Sequence, residues 1–126
     1  VQVGSAFAVA EESSAHQNFK DKILEAKEGS TRLALKKLVP VRLLNNKFAE
    51  QVFEAEAEGA DSVTLTNLLG RARAKVGMFE GNLEEGELEI GQVAAMLTQV
   101  QPAAEILNDM WTEFLMERQR IYNLKF

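Results

Sequence analysis

The chain has 126 residues, 46% of them hydrophobic and 26% charged, with a formal net charge of -5. That length suits one domain with a modest core, and the acidic balance argues against binding nucleic acid or an anionic membrane through bulk charge. Cysteine is absent and there is a single histidine, His16, which excludes disulfides and thiolate metal centres and leaves few ligands for a transition metal.

In chain order, Val1 to Gly4 alternate apolar and polar residues and read as one short strand that stops at Gly4-Ser5. One strand cannot form a sheet alone, so its partners are expected from a missing upstream segment or from another copy of the chain. Ser13 or Ser14 is placed to cap a helix over 14–28, with Gln17 at capping-box distance from Ser14. Phe19, Ile23 and Leu24 form its apolar stripe, Lys20 lies outside it, and Gly29 closes it. Pro40 interrupts the next stretch, so residues 30–41 are expected to be an irregular or partly extended connector. A helix over roughly 42–58 carries Leu44, Phe48, Val52 and Ala55 and ends at Gly59. Thr64 is a candidate cap for a short helix ending at Gly70.

Residues 76–89 contain three glycines and five glutamates and read as a loop. Their acidic groups lack the order of a calcium loop, so a solvated role is expected. A helix is then expected from Ile90-Gly91-Gln92 towards Pro102, with Val93, Leu97 and Val100 on its apolar side. Pro102 opens the last helix. Along it Ala103, Ile106, Leu107, Met110, Trp111, Phe114, Leu115 and Ile121 recur at three- and four-residue steps, which predicts a core-facing stripe. His16, in a first helical turn with no orienting partner, reads as a structural residue. Arg71, Arg73 and Lys75 are open to either of two readings, a phosphate-holding cluster or ordinary surface charge, and Trp111 and Tyr122 read as packing residues. No apolar run approaches the roughly 20 residues of a membrane helix, and the start lacks the basic region of a signal peptide. The expectation is a cytoplasmic protein with no membrane, metal or nucleic-acid partner.

Four stretches together resemble the C-terminal portion of the FMN-dependent nitronate monooxygenases (2-nitropropane dioxygenases) and of the flavin-dependent enoyl-acyl-carrier-protein reductases. They are Val1-Gln2-Val3-Gly4-Ser5-Ala6-Phe7, Glu12-Ser13-Ser14-Ala15-His16, the Arg-x-x-x-Asn of Arg42 to Asn46, and Gly86 to Gln92. The resemblance implies a mostly α chain with one N-terminal β-strand, forming the C-terminal fragment of a TIM (β/α)8 barrel plus its helical C-terminal extension. It divides the chain into 1-29, the last barrel strand and helix; 30-60, a connector and helix; and 61-126, the extension. It also implies FMN as cofactor, with Gly4 and Ser5 offering backbone groups to its phosphate and Gly91 and Gln92 near the flavin or substrate mouth. The family's Gly-Gly-His segment, which carries the catalytic histidine, has no counterpart here, and His16 does not replace it. No catalytic residue is therefore assigned, and the chain alone is expected to be inactive. The implied partner is the missing N-terminal barrel portion, or a second copy through self-association. The competing class is a non-catalytic, self-associating helical module.

Overall fold

The computed structural model describes residues 2–124. It is mostly helical, with α1 (Ser5–Ala8), α2 (Gln17–Leu24), α3 (Lys47–Ala57), α4 (Ser62–Leu69) and α5 (Ala103–Tyr122), and between α2 and α3 one hairpin, β1 (Thr31–Ala34) and β2 (Val41–Leu44). A π-helical turn at Lys75–Phe79 and a 3-10 turn at Gln92–Met96 complete it.

The expected N-terminal strand is not formed: Gln2 to Gly4 carry no regular structure, and α1 begins at Ser5. Val1 lies outside the described residues. An isolated extended segment leaves its backbone groups unpaired, and no described strand lies beside Gln2–Gly4 to pair with it.

Strand structure instead occurs where an irregular connector is expected. β1 and β2 pair antiparallel, with Thr31 opposite Leu44 and Ala34 opposite Val41. The periodicity conceals β2 because both of its faces are buried. Leu43 joins a core with Ala34, Phe48, Val52 and Leu65, while Leu44 points the other way into a core with Val9, Phe19, Ile23 and Leu88. A strand covered on both faces loses polar alternation and reads as a plain apolar run.

The helix caps are also more specific than the sequence suggests. Helix α2 starts at Gln17 rather than at residue 14, because the His16 side chain, not Ser13 or Ser14, accepts from Asn18 N at 3.1 Å. Ser13 Oγ instead accepts from Ala15 N. Helix α3 starts at Lys47 rather than at residue 42, since β2 occupies 41–44 and Asn46 is the cap, its side chain accepting from Ala49 N. Asp61 caps α4 through Thr64 N, and Gly70 closes that helix at φ 64°, so Thr64 is the recipient of the cap. The segment after Ile90 makes only a 3-10 turn, with Ala94 buried and Val93 exposed.

The longest helix departs most from expectation. In α5 only Ile106 is buried, packed with Ala6 and Ala10 and flanked by Ala103 and Met110. Leu107, Trp111, Phe114 and Ile121 are exposed. The stripe exists, yet this chain covers only its first part. The start of α5 is held by Glu12, whose carboxylate accepts from Ala103 N at 2.8 Å, and that bond holds the Glu12 carboxyl below its ordinary range. Glu12→Ala is therefore expected to lower the melting temperature and fray α5, read as faster amide exchange over 103–106. Unchanged exchange there would show that the cap is dispensable.

Candidate functional site

The site is assembled by a segment that the sequence reads as loop. Residues 88–90 run along the free edge of β2: Leu44 N donates to Leu88 O at 2.9 Å and Ile90 N donates to Arg42 O at 3.1 Å, with an antiparallel bridge between Leu43 and Glu89. Two glycines in contact anchor this edge. A Cβ on Gly86 would overlap Gly77 Cα, and one on Gly77 would lie 2.6 Å from Glu87 O. Asn46 adds the second anchor, its amide donating to Leu83 O at 2.9 Å and to Gly86 O at 2.8 Å.

Held in this way, the edge carries Gly91 to α1. Gly91 N donates to Ser5 Oγ at 3.1 Å, across 86 positions of sequence. A Cβ at position 91 would stand 2.8 Å from that hydroxyl, which would have to turn aside and give up the bond. The result is an open cleft of about 510 Å³ whose walls include Gly4, Ser5, Arg42, Glu89 and Gly91. Beside Gly4 there is open space, with nothing within 4 Å of where a Cβ would stand. No side chain caps the first turn of α1, so the backbone amides there keep donor capacity for an anion.

Of the four residues that the sequence points to, Gly4, Ser5 and Gly91 share this cleft, whereas Gln92 is exposed at the start of the 3-10 turn and does not line it. Arg42 is not among those four, although it stands in the Arg-x-x-x-Asn stretch; only the pairing of β2 with residues 88–90 brings it to the cleft. Its guanidinium donates to Thr31 O at 3.1 Å and to Thr31 Oγ1 at 3.3 Å, which leaves further N–H groups for a ligand. The signal for it is positional: a cation on the strand that the edge segment must join.

The other polar candidates are structural. His16 Nδ1 is committed to capping α2, and its ring packs on Gly81. Arg73 donates to Leu69 O and Glu85 O, and lies over the Phe48 ring at 4.7 Å, so it is a tie between elements, not free surface charge. Lys20, expected outside the helix stripe, is buried, with Nζ donating to Ala10 O at 2.6 Å and Glu11 O at 3.2 Å. Those carbonyls satisfy the ammonium after the turn following α1 folds back. Among the described residues there is no cluster of acidic or histidine side chains suited to a metal ion. None of the described helices is long and apolar enough to cross a membrane.

Glu87, two residues before Glu89 on the edge segment, is 6% exposed. Burial, with the charge of Glu89 as a smaller cause, pushes its carboxyl from 4.5 up to about 7, while Arg73 opposes the change. The folded chain then holds a proton that the unfolded chain releases, so stability falls as pH rises from about 4.5 through about 7 and levels off above. The expected loss over the whole range is about 3 kcal/mol. Urea midpoints at pH 5 and pH 8 check this, and Glu87→Gln should flatten the difference; an equal slope in that variant would assign the pH effect elsewhere.

Known proteins are similar to this chain in sequence and in fold. The family model for nitronate monooxygenase matches residues 1–113. A probable nitronate monooxygenase of Bacillus subtilis (strain 168) is 32% identical over 114 residues, which cover 90% of this chain and 33% of that protein. The structure of FabK from Thermotoga maritima superposes with a TM-score of 0.79 at 30% identity, covering 92% of this chain and 37% of that one. A mutant of the same protein superposes at 0.70 with 26% identity. The chain thus spans about a third of the length of the relatives it matches.

Proposed function

The chain belongs to the nitronate monooxygenase family, and we propose that it is the C-terminal part of an FMN-dependent oxidoreductase of nitronate monooxygenase type, contributing one side of the flavin phosphate cradle. In this reading residues 1–29 are the last unit of a (β/α)8 barrel, 30–60 a connector and helix, and 61–126 a helical extension. The rest of the barrel supplies the other side of the cradle and the catalytic base. The observation that carries the proposal is the Ser5–Gly91 hydrogen bond. It joins the two segments that the resemblance assigns to the flavin, and it does so in one cleft.

The cleft suits a phosphate in its chemistry. Gly4 leaves room for close approach, the first-turn amides of α1 are uncapped, and Arg42 supplies a cation. Glu89, on the same cleft, opposes an anion and limits what these residues hold alone. The flavin, when bound, supplies the electron transfer. This chain's residues bind and orient: Ser5 Oγ fixes the Gly91 backbone, and the edge along β2 fixes the wall. No general base is assigned among the described residues; the one histidine, His16, is spent on capping α2. A barrel typically needs about 250 residues, so weak flavin affinity and no turnover are expected of the chain by itself.

A chimera in which this chain replaces the matching third of the Bacillus subtilis relative tests the proposal. It should purify with bound flavin, and Gly4→Asp combined with Ser5→Asp should cut flavin retention more than about 10-fold through charge repulsion and lost approach. Undiminished flavin in that variant, or a stoichiometric flavin band on the 126-residue chain alone, would refute it. A second reading, a flavin-dependent enoyl-acyl-carrier-protein reductase, is favoured by the 0.79 TM-score to FabK. Oxygen uptake with an alkyl nitronate supports the first reading; oxidation of a nicotinamide cofactor with an enoyl thioester supports the second.

A further inference from the structure

Although the chain is acidic as a whole, three cations line a second cleft, between β1 and α3. Its volume is about 510 Å³, and its walls include Thr31, Arg32, Lys36, Arg42 and Glu56. Residues 88–90 pair with the far side of β2, which leaves β1 as the free edge of the hairpin. Arg32 stands opposite Leu43, and Leu33 opposite Arg42. Residues directly opposite share a face of a sheet, so Arg32 and Arg42 leave the hairpin on opposite faces. Both nevertheless line this cleft, which therefore wraps the edge of β1.

Each cation is held in a different way. Arg42 spends one nitrogen, Nη1, on Thr31 O and Thr31 Oγ1 and keeps its other N–H groups. The Arg32 guanidinium lies 3.7 Å from the centre of the Phe53 ring, a stacked arrangement that restrains it. Its contact with Glu50, at 3.7 Å, is longer than a hydrogen bond. Lys36 Nζ forms no ion pair among the described residues. Its place is set by backbone strain: Leu35 takes φ 54°, which a bulky residue seldom adopts. Burial of Leu35 with Leu43, Phe48 and Val52 holds it there. The turn brings Lys36 N to Glu56 Oε1 at 2.9 Å, so the one carboxylate among the lining residues already accepts from the backbone.

We propose that this cleft binds the phosphate or diphosphate group of a ligand, with Arg32, Lys36 and Arg42 as its donors. Two planar guanidiniums and an ammonium match a group with several acceptor oxygens, which can take bidentate bonds. Arg42 also lines the cleft of Gly4, Ser5 and Gly91, so the two clefts adjoin at its side chain. Arg32 and Lys36 line the second cleft and not the first, and the site does not rest on the flavin reading.

Titration of the chain with inorganic pyrophosphate at constant ionic strength, followed by backbone amide shifts, tests the proposal. Saturable shifts are expected at 31–36 and 53–57, with a dissociation constant on the order of 1 mM. Arg32→Gln combined with Lys36→Gln should weaken binding at least about 10-fold. Both positions are exposed, and circular dichroism checks that the fold is kept. Lys36→Gln alone leaves Arg32 on Phe53 and should still weaken binding about 3-fold. ADP titrated in parallel separates two sources of the same chemistry. Tighter binding than pyrophosphate at the same residues assigns the group to a nucleotide, weaker binding assigns the free ion, and either supports the site. Shifts that stay linear to about 20 mM, or binding indifferent to both variants, overturn the proposal. So do shifts confined to 4–5 and 89–91, which would place the anion in the first cleft and leave the flavin reading standing.

Discussion

Gly86→Ala is expected to destabilise the chain by about 3–5 kcal/mol, far more than the usual cost of changing a glycine in a loop. The added methyl would overlap Gly77 Cα and stand 2.5 Å from both Gly77 N and Asn82 O. All three are backbone atoms, so no side chain can rotate away, and relief requires the π-helical turn at Lys75–Phe79 and the edge along β2 to move apart. Gly59→Ala is the control. Position 59 has φ 86° but open space where a methyl would sit, so its cost should be only the backbone strain, about 1–2 kcal/mol. Urea midpoints for the two variants decide the matter. Equal losses would mean that close packing of Gly86 on Gly77 adds nothing. The effect should also reach the site: an edge displaced at Gly86 withdraws Gly91 from Ser5, so the chimera with the Bacillus subtilis relative should lose flavin in this variant.

Asn46→Ala carries the second large effect, about 3 kcal/mol. Its Oδ1 caps α3 at 2.8 Å from Ala49 N, a bond worth about 1–2 kcal/mol. Its Nδ2 serves Leu83 O and Gly86 O, for about 1 kcal/mol each. One side chain thus starts a helix and fastens the edge segment. Asn46→Ser separates the two roles, because a hydroxyl caps but does not span to both carbonyls; about half of the loss should return. Amide exchange over 83–91 should stay fast in the serine variant, while the start of α3 regains protection. Full recovery by serine would show that the two loop bonds contribute nothing.

Much of the helical framework is legible in the sequence because its signals are local. Gly70 as the end of α4, Gly59 beyond the end of α3 and Pro102 just before α5 act through their own backbone geometry. The bounds move where a competing partner intervenes. Periodicity places Asn46 inside a helix, yet β2 needs residues 41–44 and leaves Asn46 to cap. His16 displaces two serines as cap of α2 because its backbone N also donates to Met78 O, 62 positions away, a constraint outside any local window.

By itself the sequence determined the mainly helical character, the apolar stripe of α5 and, through four short stretches in order, the family and the glycines and serine at the candidate site. The helical character and the stripe rest on periodicity, whereas the family and the candidate site residues rest on the resemblance of those stretches. Tertiary structure alone decided that Leu43 and Leu44 face two different cores, that Arg42 reaches the cleft while Gln92 does not, and that Glu87 and Lys20 are buried. It also decided that the α5 stripe is left largely uncovered by this chain. The physical reason is range. Helix periodicity and turn chemistry are settled within a few residues, whereas burial and the company of a charge depend on which distant backbone lies alongside. Here that is settled by a glycine–glycine contact and one asparagine.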